Sequence, residues 1–290
     1  MNLDKVLFPD TGTTKAEVIS YYTRVAPALL PIVADRPVTR VRWPHGTAAG
    51  SFYEKNIPGG TPSWVRTMAV DTSGSRSPHG MPGTVQFPII DALPTLVWLS
   101  NLAAIELHVP QWRETDGVGV PDRLVIDLDP GEPAGLGECA RVALAVRDLL
   151  DGLGLACAPV TSGSHGMHVY AGLPPRSVFA VDSHQAAQLV HDVASRLEQQ
   201  MPDLVTATMA KAKRSGKVFF DWSQNVAAKT TISPYSLRGR HRPFVAAPRT
   251  WEEIEAGAAD PLALDQLEMT QVLERLERMG DVFGTYLRLP

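Results

Sequence analysis

Two carboxylates, Asp127 and Asp129, close the apolar stretch Leu124-Val125-Ile126-Asp127-Leu128-Asp129, and Pro130-Gly131 follows directly. Residues two apart on a strand project to the same face, with Cα atoms about 7 Å apart, so both side chains can reach one point. Like charges so placed repel, and one carboxyl stays protonated unless a cation neutralises the pair. Magnesium and manganese take oxygen ligands and leave room for waters and phosphates. Two such ions, about 3.5–4 Å apart, commonly serve phosphoryl transfer. The D-x-D pattern alone also fits a strand running into a Pro-Gly turn, and it recurs in phosphatases and glycosyltransferases. Val218-Phe219-Phe220-Asp221 repeats the arrangement of an apolar strand ending in an acid. If that strand lies beside the first, three carboxylates converge; otherwise Asp221 is a solvent-facing strand end.

Two further segments carry the right chemistry for a triphosphate. Ser162-Gly163-Ser164-His165-Gly166 links two apolar runs, and its small residues could let backbone N–H groups close around an anion. Ser162 brings a hydroxyl, and His168, just beyond, a ring N–H; a glycine-rich hairpin explains the same residues without a ligand. Residues 227–248 supply Lys229, Arg238, Arg240 and Arg242. Arginine suits bidentate phosphate contacts, although a basic loop is more often a solvated surface.

These groups need a framework of alternating elements. Helical spacing covers residues 15–34, with Thr13 or Thr14 as cap and Pro27 and Pro31 expected to interrupt or bend it. It recurs over 135–154 and 182–201, the latter opened by Asp182 and Ser183, and over 261–280 as the last helix. The strongly apolar run 88–106 reads as a buried helix. Strands are expected at 37–43, 107–112, 123–129, 157–162, 167–173 and 217–223, and loops at 44–63 and 71–84. Strands alternating with helices predict an α/β (α+β) fold whose mixed central sheets are flanked by helices. No composition shift divides the 290 residues, so one domain is expected.

Composition narrows the class. The chain is 44% hydrophobic and 20% charged, enough for a sizeable core. No run of about 18 apolar residues is present, so no membrane partner is expected. The N-terminus lacks a signal-peptide pattern, and the two cysteines have no ligand-like spacing, which predicts a reducing, cytoplasmic setting. The net charge of -4 does not point to nucleic acid, yet a local basic face can hide within it.

Taken in order, LVIDLDPGE, VTSGSHGMHVY, GKVFFDWSQN and KTTISPYSLRGR resemble the polymerase domain of bacterial ligase D, within the archaeo-eukaryotic primase superfamily. TKAEVISYY, RPVTRVRWPHG, FYEKN and LHVPQW are similar to the same family, so the resemblance spans nearly the whole chain. It implies a primase-type fold over 1–290, with a DNA-engaging N-terminal elaboration to about 100, a catalytic core over about 101–250 and a C-terminal helix over about 260–280. It implies that Asp127, Asp129 and Asp221 hold two divalent ions, Mn2+ or Mg2+. By the same resemblance Ser162, His168, His108, Arg214, Gln224, Arg238 and Arg240 surround the incoming nucleotide; Gly163, His165 and Lys229, in the same loop and basic segment, are candidates beside them. Lys15 and Phe52 would engage the template and the 5′-phosphate of a downstream strand, with Lys55 as a neighbouring cation. The implied activity is template-directed addition of nucleotides, ribonucleotides included, to a primer 3′-hydroxyl at breaks or short gaps. The implied partners are DNA carrying a 5′-phosphate, nucleoside triphosphates, a DNA ligase and end-binding repair proteins, in a bacterial cytoplasm at the nucleoid.

One position departs from the pattern. Relatives often carry lysine or arginine where this chain has His165. Free histidine is mostly neutral near pH 7, so weaker or more pH-dependent nucleotide binding is implied. No adenylation lysine motif and no phosphoesterase histidine cluster is present, which predicts a stand-alone polymerase or an excised domain. Two rival readings are a D-x-D phosphohydrolase and a non-catalytic nucleic-acid-binding module. The first lacks the D-x-D-x-T pattern, since Pro130-Gly131 follows Asp129, and retention of all three acids opposes the second.

Overall fold

The computed structural model describes residues 2–72, 83–175 and 181–287. The chain begins β1 (Val6–Phe8), β2 (Thr13–Thr14), α1 (Lys15–Val33), β3 (Thr39–Arg42), β4 (Phe52–Glu54), β5 (Thr67–Thr72) and β6 (Gly83–Pro88). It continues α2 (Leu93–Asn101), β7 (Ala104–Val109), β8 (Arg123–Pro130), α3 (Leu136–Gly152), β9 (Cys157–Thr161), β10 (Met167–Gly172) and α4 (Ser183–Gln200). It ends β11 (Val205–Thr206), β12 (Val218–Asp221), β13 (Thr231–Ile232), β14 (Ala247–Pro248), α5 (Trp251–Ala259), α6 (Met269–Met279) and α7 (Val282–Leu287).

Two sheets carry the architecture. One has the order β11-β12-β8-β10-β9-β14, antiparallel except for the β11–β12 pair; the other has the order β13-β7-β3-β4. On β8, Leu124, Ile126 and Leu128 face one way, into a core with α3 and α4 that includes Val146, Leu150, Val190 and Leu197. Val125 belongs to a second core, with Tyr170 and the apolar side of α1. The strand is thus covered on both faces over its first half, and its other-face positions turn to carboxylates at Asp127 and Asp129. This is the mixed α/β fold expected, with helices flanking central sheets. No helix among the described residues is long and apolar enough to cross a membrane.

Several elements differ from the expectation. α1 runs unbroken through Pro27 and Pro31. Pro27 and Thr23 lie on the exposed side, so the Thr23 carbonyl that Pro27 leaves unpaired can meet water. The run 88–106 is not one helix: Pro88 ends β6, α2 covers Leu93–Asn101, and β7 has begun by Ala104. Pro94 fits only the first helical turn, and Ala103, at φ +57, turns the chain into the strand. The loop expected over 44–63 contains β4, whose aromatics pair with β3. Most of the loop over 71–84 lies outside the described residues, and its ends are the paired β5 and β6. The helix over 261–280 starts only at Met269, and α7 follows it.

Arg36 joins α1 to the start of β8. It is fully buried and meets Asp122 at 2.5 Å, while Arg113 reaches the same oxygen at 2.9 Å. Burial alone would raise the Asp122 carboxyl; the Arg36 charge and hydrogen bond, then Arg123 and Arg113, overcome it and hold it at about 2. Unfolded aspartate titrates near 4. The contribution is therefore complete above about pH 4 and is lost as pH falls towards 2. Asp122→Asn leaves a buried guanidinium poorly paired and should cost about 3–5 kcal/mol at pH 7. Urea unfolding of both proteins from pH 7 to pH 3 should show that difference shrinking, and a pH-independent difference would refute the assignment.

Candidate active site

The antiparallel register aligns three titratable side chains in one row. Asp127 on β8 pairs with His168 on β10 and with Asp221 on β12. Directly paired residues share a face, and Asp129 lies on that same face of β8. His168 is buried; its Nε2 stands 3.3 Å from Asp127 Oδ1, and its Nδ1 is buried without a hydrogen-bond partner. Asp221 caps the short turn after β12: Oδ1 accepts from Ser223 N at 3.0 Å and Ser223 Oγ at 2.7 Å, and Oδ2 accepts from Gln224 Nε2 at 2.8 Å. Asp129 pairs with Phe219, over whose ring the Arg214 guanidinium stacks at 3.5 Å. The Asp129 carboxyl is pushed up to about 6, first by burial and then by Asp127, with Asp221 adding and His168 and Arg214 opposing.

That upward push marks negative charge without a sufficient cation among the protein's own groups. An all-carboxylate donor set of this kind suits magnesium or manganese. Among the described residues, no three His, Cys, Asp or Glu side chains stand as a ready-made metal cluster. Asp221 is instead held by Ser223 and Gln224, so the set fits in chemistry and lies more open than a closed metal cage.

The loop after β9 crosses β8 closely. A Cβ on Gly166 would stand 2.1 Å from the Leu128 carbonyl oxygen, so only glycine passes there. Gly163 takes φ +70 and packs against Arg238 and Val245. Three of the N–H groups of the expected cradle are taken up within the protein. Ser162 N donates to Gly166 O at 3.0 Å, Gly163 N to Gln266 Oε1 at 2.7 Å, and Ser164 N to Ser162 Oγ at 3.2 Å. Side chains are what the loop offers: Ser162 inside, Ser164 half-buried and His165 exposed at the tip.

Arg238 bridges the two sheets. Its Nε donates to Ser162 O at 2.8 Å, and its Nη1 lies 3.4 Å from Glu106 Oε2 on β7. Glu106 also meets His108 Nε2 at 2.7 Å and accepts from Gly239 N at 3.0 Å. Burial would raise this carboxyl; His108, then Arg238 and the Gly239 N–H, bring it down to about 2. Arg240 Nη2 donates to Ser164 Oγ at 2.5 Å. Lys229 is half-buried just before β13, which pairs with β7 at His108. Glu106 and Gln266 were not singled out from the sequence. Glu106-x-His108 has the same period of two as Asp127-x-Asp129 and could have drawn notice; nothing local marks Gln266.

The residues expected at DNA form a second group. Lys15 is the first residue of α1, and its Nζ donates to Asn101 O at 2.9 Å. Its pKa is lowered by burial, then by Lys5 and Arg42, so three cations gather there. Phe52 is 52% exposed and pairs with Arg42, sharing its face. It lies on edge strand β4 rather than in a loop. Tyr53 points to the other face, that of Val41 and Glu106, and its hydroxyl lies 3.4 Å from Thr230 Oγ1. Lys55 is half-buried immediately beyond β4.

Known proteins share this arrangement of sequence. Residues 14–283 match the family model described as "LigD, primase-polymerase domain". The chain is 49% identical over 284 residues to the multifunctional non-homologous end joining protein LigD of Mycolicibacterium smegmatis, covering 98% of this chain and 35% of that protein. It is 30% identical over 289 residues to the bifunctional non-homologous end joining protein LigD of Bacillus subtilis, covering 100% of this chain and 44% of that protein. The chain thus spans less than half the length of these relatives. The solved polymerase domain from Mycobacterium tuberculosis ligase D in complex with DNA superposes with a TM-score of 0.90 at 48% identity, covering 100% of this chain and 98% of that one. The chain therefore belongs to the LigD primase-polymerase domain family and is a DNA-directed nucleotidyltransferase.

Proposed function

We propose that this chain adds nucleotides to a primer 3′-hydroxyl, directed by a template, on DNA that carries a gap or break. The observation that supports this most is the row Asp221–Asp127–His168, with Asp129 two residues along the same strand face. In this reading the hydroxyl attacks the α-phosphate of a nucleoside triphosphate and pyrophosphate departs. Divalent ions, magnesium or manganese and two in number, would be held by Asp127, Asp129 and Asp221 and would lower the hydroxyl's pKa and take up charge on the attacking and leaving oxygens. His168, Ser162, Arg238 and Arg240 hold and orient the triphosphate, with His108, Gln224, Lys229, Arg214 and Gly163 around them and His165 at the rim. Phosphate charge suits the forked guanidinium groups. Glu106 keeps Arg238 and His108 in place without touching the nucleotide.

Lys15, with Lys5, Arg42 and the N-terminus of α1, suits a terminal 5′-phosphate, which carries more charge than a bridging one. Exposed Phe52 offers a ring for an unpaired template base, and Lys55 a neighbouring charge. A solved family member is described as a complex with DNA, and the longer relatives are named for non-homologous end joining. These names support repair of broken ends in a bacterial nucleoid, beside a DNA ligase and end-binding proteins.

Three experiments bear on this reading. Asp127→Asn or Asp129→Asn should cut primer extension by about 10²–10⁴-fold, as the loss of several kcal/mol of transition-state stabilisation implies, while the protein stays folded. Near-normal extension by either variant would remove the carboxylates from the chemistry. A 5′-phosphate on the downstream strand should tighten binding of gapped DNA about tenfold at one fixed salt concentration. Lys15→Ala should erase that gain and spare the 5′-hydroxyl substrate, whereas Phe52→Ala should weaken both; equal affinity of the native protein for both gaps would refute the pocket. In competition, ribonucleotides should enter at least as well as deoxyribonucleotides, and a strong deoxyribonucleotide preference would overturn this part of the reading.

A further inference from the structure

Gln266 lies outside the motifs that carry the chemistry, 45 residues beyond Asp221 in the stretch between the short turn Pro261–Ala263 and α6. Its amide spans the loop at both ends. Oε1 accepts from Gly163 N at 2.7 Å, and Nε2 donates to Gly166 O at 3.0 Å. Gly166 O also accepts from Ser162 N, so the same carbonyl closes the loop from inside. A carboxamide is both donor and acceptor, so one side chain can pair with two peptide groups as a neighbouring strand would. Glutamate lacks the donor, and asparagine is one methylene shorter.

The side chain is well anchored. Leu264 and Leu267, on either side of it, are buried, and Leu267 O accepts from Val245 N at 2.9 Å. Val245 is the residue against which Gly163 packs. The clasp therefore ties the loop to Val245, which pairs with Leu237, the neighbour of Arg238. Ser162 O, the acceptor for Arg238 Nε, precedes Gly163 directly, so fixing Gly163 fixes the carbonyl that aims the guanidinium. Arg240 reaches Ser164 one residue further on.

We infer that Gln266 is a positioning residue for the incoming nucleotide: it holds the Ser162–Gly166 loop closed before any nucleotide arrives, and so sets Ser162, Arg238 and Arg240 for the triphosphate. The inference rests on the proposed triphosphate site and adds to it. A loop shaped in advance loses less conformational entropy on binding, so the effect belongs in nucleotide affinity rather than in the chemical step.

The test is single-nucleotide primer extension with Gln266→Met, which keeps the length and removes both hydrogen bonds. Two bonds of ordinary strength predict a rise of about tenfold in the nucleotide KM, with kcat within about twofold and gapped-DNA affinity unchanged. Arg238→Ala is measured in parallel. If Arg238→Ala raises the nucleotide KM and Gln266→Met does not, the inference fails while the triphosphate site stands. If neither raises it, the triphosphate site itself fails and takes the inference with it. A joint fall in kcat, DNA affinity and Tm would make Gln266 a general structural support and overturn the positioning role. Hydrogen exchange in the native, nucleotide-free protein gives a second readout that needs no variant to fold. The Gly163 amide should be protected, and rapid exchange there overturns the inference.

Discussion

The site depends on the register of one strand between two neighbours. β8 sends Leu124, Ile126 and Leu128 into the core under α3 and α4, and Asp127 and Asp129 to the opposite face. A slip of one residue would turn both acids towards that core and carry Leu128 to the open face the acids now occupy, so the hydrophobic effect itself enforces the position of the charges. Polar contacts lock the same alignment. Asn225, in the turn after Asp221, accepts from Val125 N at 2.9 Å and donates to Val125 O at 2.7 Å. Gly166 lets the loop press on Leu128 O, and Gly131 lets the turn after β8 cross the backbone of Arg214. Each of these contacts would be broken by a shifted strand.

Two carboxylates in the same region show how surroundings divide labour. Glu106 is buried and meets His108, Arg238 and the Gly239 N–H, which hold it down at about 2. Asp129 meets other acids, and burial with Asp127 pushes it up to about 6. The first is a saturated anchor: its charge is used in fixing its partners. The second retains an unmet demand for positive charge, which is the property a site that recruits cations needs. Proximity in the fold therefore does not make the two acids equivalent.

What was legible in the sequence was whatever local period encodes. The acids at the ends of β8 and β12 stood out because each closes an apolar strand, and a cap at Thr13 or Thr14 because threonine opens the helical spacing; the reciprocal hydrogen bonds of Thr14 and Glu17 decide for Thr14. The break within 88–106 was hidden, because a stretch apolar throughout has no period from which to read a change of element. The prolines of α1 do not interrupt it, because their cost depends on which side of the helix faces water, and packing decides that. Glu106 and Gln266 escaped for a different reason. Glu106 holds Arg238 and Gly239, more than a hundred residues away, and Gln266 holds the main chain of a distant loop, which leaves no trace in side-chain type.

The closed loop between β9 and β10 also bears on how such a protein can change over generations. An anion cradle built from backbone N–H groups is nearly immune to substitution, because every residue except proline offers the same donor. Here the N–H groups of Ser162, Gly163 and Ser164 are already taken up within the protein. On the proposed function, the grip on a phosphate chain would then reside largely in interchangeable side chains at 162, 164, 165, 238 and 240 around a fixed main-chain frame. Lineages could strengthen or relax nucleotide capture one position at a time while the glycines and the carboxylate strand stay untouched, and a histidine at 165 would be one such setting.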